Sequence, residues 1–148
     1  MADSNTLLLY FSLFAIAFLA ATVLPLGSEA ALVGLVVLDQ TLMLPLIVAT
    51  TGNLLGSATT FWLGRKAGHI IEQREPTLAA RTLRAQNLLQ RWGTPILLLA
   101  WLPIIGDVLV GVAGALHAPW KSSLFWIGVG KAARYAVIGW LALAVQSS

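Results

Sequence analysis

The chain has 148 residues, of which 58% are hydrophobic and 10% are charged, and its net charge is +3. A soluble domain carries about 25% charged residues, so this composition leaves too few polar groups to cover a water-exposed surface and indicates an integral membrane protein. The absence of cysteine excludes a disulfide framework and a thiolate metal site, and the sequence has no Walker A loop, GxSxG elbow or HExxH zinc motif.

The first apolar stretch covers residues 6–38 and is too long for a single membrane span. One span needs roughly 20 residues, and the stretch is interrupted at residues 25–29 by the sequence Pro-Leu-Gly-Ser-Glu. We therefore predict a membrane helix over residues 6–24 and a re-entrant turn over residues 25–38. Broken backbone is tolerated at membrane depth where protein or a water-filled cavity covers it.

The second apolar stretch, residues 42–63, has the length of one full span. It contains Gly52 and Gly56 in a GxxxG pattern, which permits close contact between two membrane helices. Asn53 follows the first glycine, near the expected middle of the bilayer. Polar groups at that depth are candidate binding residues.

Residues 64–92 form a basic linker that holds six of the nine Lys and Arg residues, namely Arg65, Lys66, Arg74, Arg81, Arg84 and Arg91. Positive charge concentrates in cytoplasmic loops, so this linker is expected in the cytoplasm. After Pro76, apolar residues recur at helical spacing, which predicts an amphipathic helix on the cytoplasmic membrane surface. An ordinary solvated helix is the alternative. Beside membrane spans, anionic lipid is a nearer partner for these charges than nucleic acid.

The remaining chain repeats the plan of the first part. Residues 93–117 are apolar and are interrupted at Pro103, and residues 122–145 have the length of a final span. Each half then consists of an apolar arm, a proline-broken turn with a carboxylate, and a span with a polar centre. A shift of 78 residues places three landmarks in register: Leu24-Pro25 on Leu102-Pro103, Glu29 on Asp107, and Gly52-Asn53 on Gly130-Lys131.

These observations predict an all-α integral membrane protein with an inverted repeat, formed as a single domain over residues 1–148. The first half is residues 6–63, the second half is residues 93–145, and each combines a re-entrant hairpin with a transmembrane helix. A hairpin returns to the face it entered and one span follows it, so the second half starts from the opposite face. If residues 6–24 cross the membrane fully, the N-terminus is cytoplasmic.

Four charged residues are expected within the membrane, where charge is costly. Lys131 and Arg134 lie near the middle of the last span, where a charge costs about 2.5–3.5 kcal/mol on insertion scales. Glu29 and Asp107 are the available carboxylates, one in each broken turn. We expect these two acids and two bases to converge in a polar cluster between the halves. The cluster either pins the hairpins together or serves as a substrate or proton site.

Four segments of the sequence carry a family resemblance: LPLGSE at 24–29, TGNLLGSATTFWLGRKAG at 51–68, LPIIGDVLVGVAGALHAPW at 102–120 and GKAARY at 130–135. They resemble the DedA family of bacterial membrane proteins, also called the VTT-domain or SNARE-associated family, and most closely its short YqaA-type branch. The second segment is the most specific, because Phe61 and Arg65 match the family's FxxxR pattern.

The resemblance implies two opposed re-entrant hairpins, an inner-membrane location and transport of anionic lipid, either undecaprenyl phosphate or phospholipid, often coupled to protons. On this hypothesis Arg65 holds a headgroup phosphate near the cytoplasmic surface, and Lys131 and Arg134 receive it at mid-depth. Glu29, which matches the family's acidic position in the first hairpin, and Asp107 neutralise the empty site. One of the two acids carries a proton.

The sequence departs from the family pattern at two places. Ser57 stands where many members have aspartate, and Ala100, Trp101 and Asp107 stand where many carry arginine. The alternative is a structural membrane protein that supports envelope integrity or membrane-protein assembly without transport. No cofactor or metal is expected, since neither histidine has a ligand spacing, and an enzyme would need a nucleophile with a base at membrane depth. Protons and a second copy of the chain are further partners left open.

The charge distribution predicts the topology. Cysteines introduced at Gln73 or Gln86, in the basic linker, should be protected from an impermeant thiol reagent in intact cells. Cysteines at Asp39 and His117 should react from opposite sides of the membrane, because each hairpin returns to the face it entered. The chain itself contains no cysteine, so the thiol reagent can label only the introduced residue. Labelling of the linker from outside would reverse the orientation, and labelling of both hairpin ends from one side would contradict the inverted repeat.

Overall fold

The computed structural model describes residues 4–22, 27–74, 83–103 and 105–146, with the backbone alone for residues 69–74, 83–85 and 146. All secondary structure in these residues is helical, as the predicted all-α class requires. The chain forms two compact units, one of Met1–Gly56 with Lys131–Ser148 and the other of Ser57–Gly130. The elements are α1 (Ser4–Ala20), α2 (Ser28–Asp39), α3 (Met43–Arg74), α4 (Leu83–Trp92), a 3₁₀ helix (Thr94–Trp101), α5 (Ile105–Ala115) and α6 (Trp120–Gln146).

In the first unit, α1 and α2 form an antiparallel hairpin. Tyr10, near the start of α1, donates a hydrogen bond to the carboxylate of Asp39 at the end of α2, so the two ends of this segment lie side by side. At 1.5 Å per residue, the 12 residues of α2 reach about 18 Å, which is too short for a hydrocarbon core of about 30 Å. The short returning arm fits the predicted hairpin, and its re-entrant placement in the membrane stays a prediction.

The turn between α1 and α2 lies where the sequence predicted a break. Residues 23–26, including Pro25, lie outside the described part of the chain. Gly27, which directly precedes α2, has a φ of +91°, and a residue without Cβ adopts this left-handed conformation at little steric cost. At the other end of α2, Gln40 has a φ of +51° and closes the helix with a left-handed cap.

The third helix is longer than the predicted span of residues 42–63. It continues through Arg74, so residues 64–74, which we expected to begin a linker, are helical. The reason is local: six of the eleven residues 64–74 are arginine, lysine, alanine, glutamate or glutamine, which favour helix, and residues 64–75 contain no proline. The predicted amphipathic helix is present as α4 from Leu83, and its expected start at Pro76 lies outside the described residues.

The GxxxG pattern in α3 makes a close helix contact, as predicted, and the structure shows that the partner is α1. A Cβ added at Gly52 would lie 2.6 Å from the carbonyl oxygen of Phe14. A Cβ added at Gly56 would meet the Phe18 carbonyl oxygen and lie 2.8 Å from the Ala21 Cβ. These distances are shorter than real Cβ contacts, so the two backbones touch through glycine.

The core of the first unit takes residues from all four of its helices. Its buried members are Leu13, Ala17, Leu32, Leu35, Val36, Ala49 and Tyr135. Tyr135 is the one member that carries a hydroxyl group. The apolar side chains therefore surround a polar group, which must find a hydrogen-bond partner inside the protein.

The second unit contains the other predicted break. The 3₁₀ helix ends at Trp101, Pro103 follows, and α5 begins at Ile105 and packs against the 3₁₀ helix. The 11 residues of α5 reach about 16 Å, again too short to cross the hydrocarbon core. His117 follows α5 with a φ of +55°, so both short arms end at a left-handed residue.

Among the described helices, α6 alone combines the length and the apolarity of a membrane span, over Trp120–Val145. This agrees with the predicted last span. Its side chains Phe125, Val137 and Trp140 are exposed, and a lipid phase is the solvent that accommodates them. At about 48 Å α3 is long enough, but threonines, glycines and Asn53 lower its apolarity, so its crossing stays a prediction.

We predict that Gly56→Ala lowers the free energy of unfolding by about 1–3 kcal/mol, because the added methyl group forces α3 away from α1. Gly34→Ala is the matched control: Gly34 lies in α2 with nothing within 4 Å of an added Cβ. It should raise stability by roughly 0.5–1 kcal/mol through helix propensity. Thermal unfolding in detergent compares the two variants, and equal effects would contradict the tight α1–α3 contact.

Candidate functional site

A chain of hydrogen bonds runs through the interior of the first unit. Asn53 of α3 is 5% exposed, and its Nδ2 donates to the Ala17 carbonyl oxygen at 3.1 Å and to the Tyr135 hydroxyl at 2.8 Å. The Tyr135 hydroxyl donates in turn to Ser28 Oγ at 3.0 Å. The chain therefore joins α1, α3, α6 and α2 through polar groups buried among apolar side chains.

The Ala17 carbonyl group is available because α1 is ending. The amide of Ala21 donates to Phe18 and the amide of Thr22 donates to Leu19, so the last turn has tightened to the 3₁₀ pattern. Carbonyl groups in the last turn of a helix lack the usual amide partner four residues on. Asn53 supplies a donor to one of them and thereby fixes the end of α1 against α3.

An ion pair lies directly beside this chain. The Arg134 guanidinium contacts Glu29 Oε1, and the two side chains are 18% and 29% exposed, respectively. Glu29 lies in the first turn of α2, where the helix dipole favours negative charge. Since Glu29 follows Ser28 and Arg134 precedes Tyr135, two adjacent contacts connect α2 with α6.

The structure brings together part of the predicted site. Glu29 pairs with Arg134 in the first unit, and Asn53 bonds there to Tyr135, the residue after Arg134. The same unit contains Lys131, which is 2% exposed and lies one turn before Tyr135 on α6. Asp107 lies in the first turn of α5, and Arg65 lies on α3, both in the second unit and both partly exposed. The structure shows Glu29 as the partner of Arg134, a pairing that the sequence left open, and the convergence of Asp107 and Lys131 with this pair stays a prediction.

Sequence reasoning missed Tyr135, Ser28 and the Ala17 carbonyl group. A signal for Tyr135 was present, because it lies four residues after Lys131 and therefore on the same side of α6. The 78-residue register also places Tyr135 on Ser57, and both residues are almost completely buried. Two polar groups one turn apart in each span mark an interior face.

The site offers a guanidinium group whose charge is balanced by one carboxylate. A guanidinium binds carboxylate and phosphate through the same two-pronged geometry, so either anion can occupy Arg134. Within the described residues, no three His, Asp or Glu side chains are grouped so that they could hold a metal ion. The described site is therefore a partly exposed cation paired with one carboxylate.

Comparisons with known proteins find relatives over most of the chain. The sequence model of the VTT domain matches residues 11–141. Inner membrane protein YqaA of Escherichia coli and that of Shigella flexneri are each 37% identical over 129 residues, 86% of this chain and 87% of each relative. An uncharacterized protein of Haemophilus influenzae is 37% identical over 134 residues, 85% of this chain and 82% of that protein. No solved structure matches the chain.

We predict energetic coupling between Glu29 and Arg134. Glu29→Gln or Arg134→Met alone leaves an unbalanced charge and should cost about 3 kcal/mol of unfolding free energy. The double variant removes both charges and should recover much of the loss, giving an interaction energy of roughly 0.5–3 kcal/mol. Lys121→Met, an exposed cation on the same helix, is the control. Strictly additive effects in a thermal-unfolding cycle would show that the two side chains do not pair.

Proposed function

Since the chain belongs to the VTT-domain family, also called the DedA family, we propose that it moves anionic lipid, or holds it in position, in the bacterial inner membrane. This is the family that the sequence motifs resembled. The chain is an inner-membrane protein, as its relatives named YqaA are. Binding of an anionic lipid must be argued from the residues of the site.

The observation that carries the proposal is the Glu29–Arg134 pair. Arg134 lies on α6, the helix most suited to span a membrane, at a depth where an unpaired cation is costly. Its only charge partner among the described contacts is the carboxylate of Glu29. A cation held in this way is stable while the site is empty, and it can accept another anion in place of Glu29.

The proposed cycle exchanges one anion for another. When lipid phosphate approaches, Glu29 takes up a proton and loses its attraction for Arg134, which then binds the phosphate. Release of the lipid lets Glu29 lose its proton and pair with Arg134 again. Lys131 and Asp107 act as the second cation and acid, and Arg65 binds phosphate nearer the cytoplasmic surface.

A structural role is the second candidate, and the hydrogen-bond chain favours it. Asn53 and Tyr135 hold four helices together without any exchange of partners. On this hypothesis the ion pair only strengthens the same clamp. Folded Glu29→Gln/Arg134→Met protein should then complement a strain that lacks the protein, whereas a transporter would be inactive because the phosphate has lost its cation.

The decisive measurement is lipid flipping in proteoliposomes. Purified protein in phosphatidylcholine vesicles should accelerate flipping of labelled phosphatidylglycerol or labelled undecaprenyl phosphate over protein-free vesicles, and labelled phosphatidylcholine is the uncharged control. Arg134→Met should reduce the rate about 10–100-fold, the effect expected when a charge-assisted hydrogen bond is removed. Lys121→Met should retain the wild-type rate. Transport would be contradicted if the wild-type protein did not accelerate the flipping of any anionic lipid.

A further inference from the structure

Two adjacent contacts connect α2 with α6, and they differ in rigidity. Ser28 and Tyr135 meet through a hydrogen bond at 3.0 Å, and their neighbours Glu29 and Arg134 meet through an ion pair. Tyr135 is 1% exposed, whereas the ion pair is partly open. A buried tyrosine ring has two side-chain torsions, and its hydroxyl group can reach a partner at few helix registers. An arginine side chain is long and flexible, so it can reach a carboxylate from several registers.

We propose that Tyr135 is a positioning residue for the Glu29–Arg134 pair. Its hydroxyl group is held by Asn53 and donates to Ser28, and this fixes the register of α2 on α6 that places Glu29 opposite Arg134. The argument is geometric: Ser28 and Glu29 are consecutive in α2, and Arg134 and Tyr135 are consecutive in α6. A shift of α2 that breaks the hydrogen bond therefore also displaces Glu29.

Asn53 gives Tyr135 its fixed position. The amide of Asn53 donates to both Tyr135 and the end of α1, so the hydroxyl group is tied to the part of the hairpin that precedes the turn. Ser28 ties it to the part that follows the turn. Tyr135 thus holds both sides of the α1–α2 turn on α6.

The consequence for transport rests on the proposed function. Without the tyrosine hydroxyl group, Arg134 is still present and can bind phosphate, but Glu29 is misplaced and pairs with Arg134 again more slowly after the lipid has left, which delays the next turnover. We expect Tyr135→Phe to lower the maximal flipping rate and to leave the lipid concentration at half-maximal rate unchanged. Because a loss of folded protein would also lower the maximal rate without changing this concentration, the rates are compared per amount of folded protein.

The first experiment measures positioning without lipid transport. Tyr135→Phe is introduced into the wild-type chain and into the Glu29→Gln/Arg134→Met chain, and thermal unfolding is followed in detergent. The substitution should lower the unfolding temperature by roughly 2–4 °C more in the wild-type chain, because only there does it also misplace the ion pair. Ser28→Ala, which removes the same hydrogen bond from the other side, should give the same pattern.

The matched control is the other tyrosine of the chain. Tyr10→Phe removes a hydroxyl group that donates to Asp39 at the far end of the same hairpin, away from the ion pair. Its effect on the unfolding temperature should be equal in the two backgrounds. Equal shifts for Tyr135→Phe and Ser28→Ala in the two backgrounds would overturn the positioning role.

The second experiment measures flipping of labelled phosphatidylglycerol in proteoliposomes at several lipid concentrations. Tyr135→Phe should lower the maximal rate about five- to tenfold, the effect of one lost buried hydrogen bond, and Tyr10→Phe should retain the wild-type rate. A wild-type maximal rate in Tyr135→Phe would refute the effect on transport. If the wild-type protein flips no lipid, the proposed function fails, and the unfolding comparison still decides the positioning role.

Discussion

The requirement that a buried polar group be satisfied within the protein governs the first unit. In hydrocarbon no water replaces a missing partner, so an amide such as that of Asn53 must find acceptors on neighbouring helices. It finds the end of α1 on one side and Tyr135 on the other. The two partners lie on different helices. The Asn53 amide is therefore fully hydrogen-bonded only when these helices pack together, and its hydrogen bonds in turn stabilise that packing. The apolar core provides volume and burial, and the polar chain decides which helix faces meet.

Close packing makes this polar chain possible. Asn53 reaches the Ala17 carbonyl group because Gly52 and Gly56 let the backbone of α3 approach α1. The same arrangement recurs in the second unit, where a Cβ added at Gly130 would meet the carbonyl oxygen of Leu98 in the 3₁₀ helix. In each case the glycine precedes a buried polar residue, Asn53 or Lys131. Residues 78 positions apart therefore share a structural role. In each half a glycine lets the span approach the helix before the proline break, and the residue after the glycine is polar.

The sequence predicted those features that depend on composition and local pattern. The last span, the two interruptions near proline and the close helix contact of the α3 glycines follow from apolarity, backbone restriction and spacing. That α1 is the partner of these glycines, and that Glu29 and Asp107 lie in the first turns of helices, was not predicted. The partner of Arg134 could not be predicted, because two acids were equally available and the choice depends on helix rotation. Tyr135 was missed because an aromatic residue in a membrane span is commonly read as packing. The continuation of α3 to Arg74 was missed because basic charge was taken as a sign of a linker, although these residues favour helix. The 3₁₀ geometry of Thr94–Trp101 differs from an α-helix in one hydrogen-bond register, and leucine-rich sequence does not distinguish the two.

The chain contains two tyrosines, and the fold places them at opposite ends of the α1–α2 hairpin. Tyr10 bonds to Asp39 where the hairpin is open, and Tyr135 bonds to Ser28 where it turns. Isotope labelling of tyrosine would therefore give two resonances, each reporting on one end of the same structural element. A motion that pivots the hairpin about its turn would change the Tyr10 signal and leave the Tyr135 signal in place. A motion that slides α2 along α6 would change both, so the molecule carries a built-in pair of spectroscopic reporters that separates the two kinds of movement.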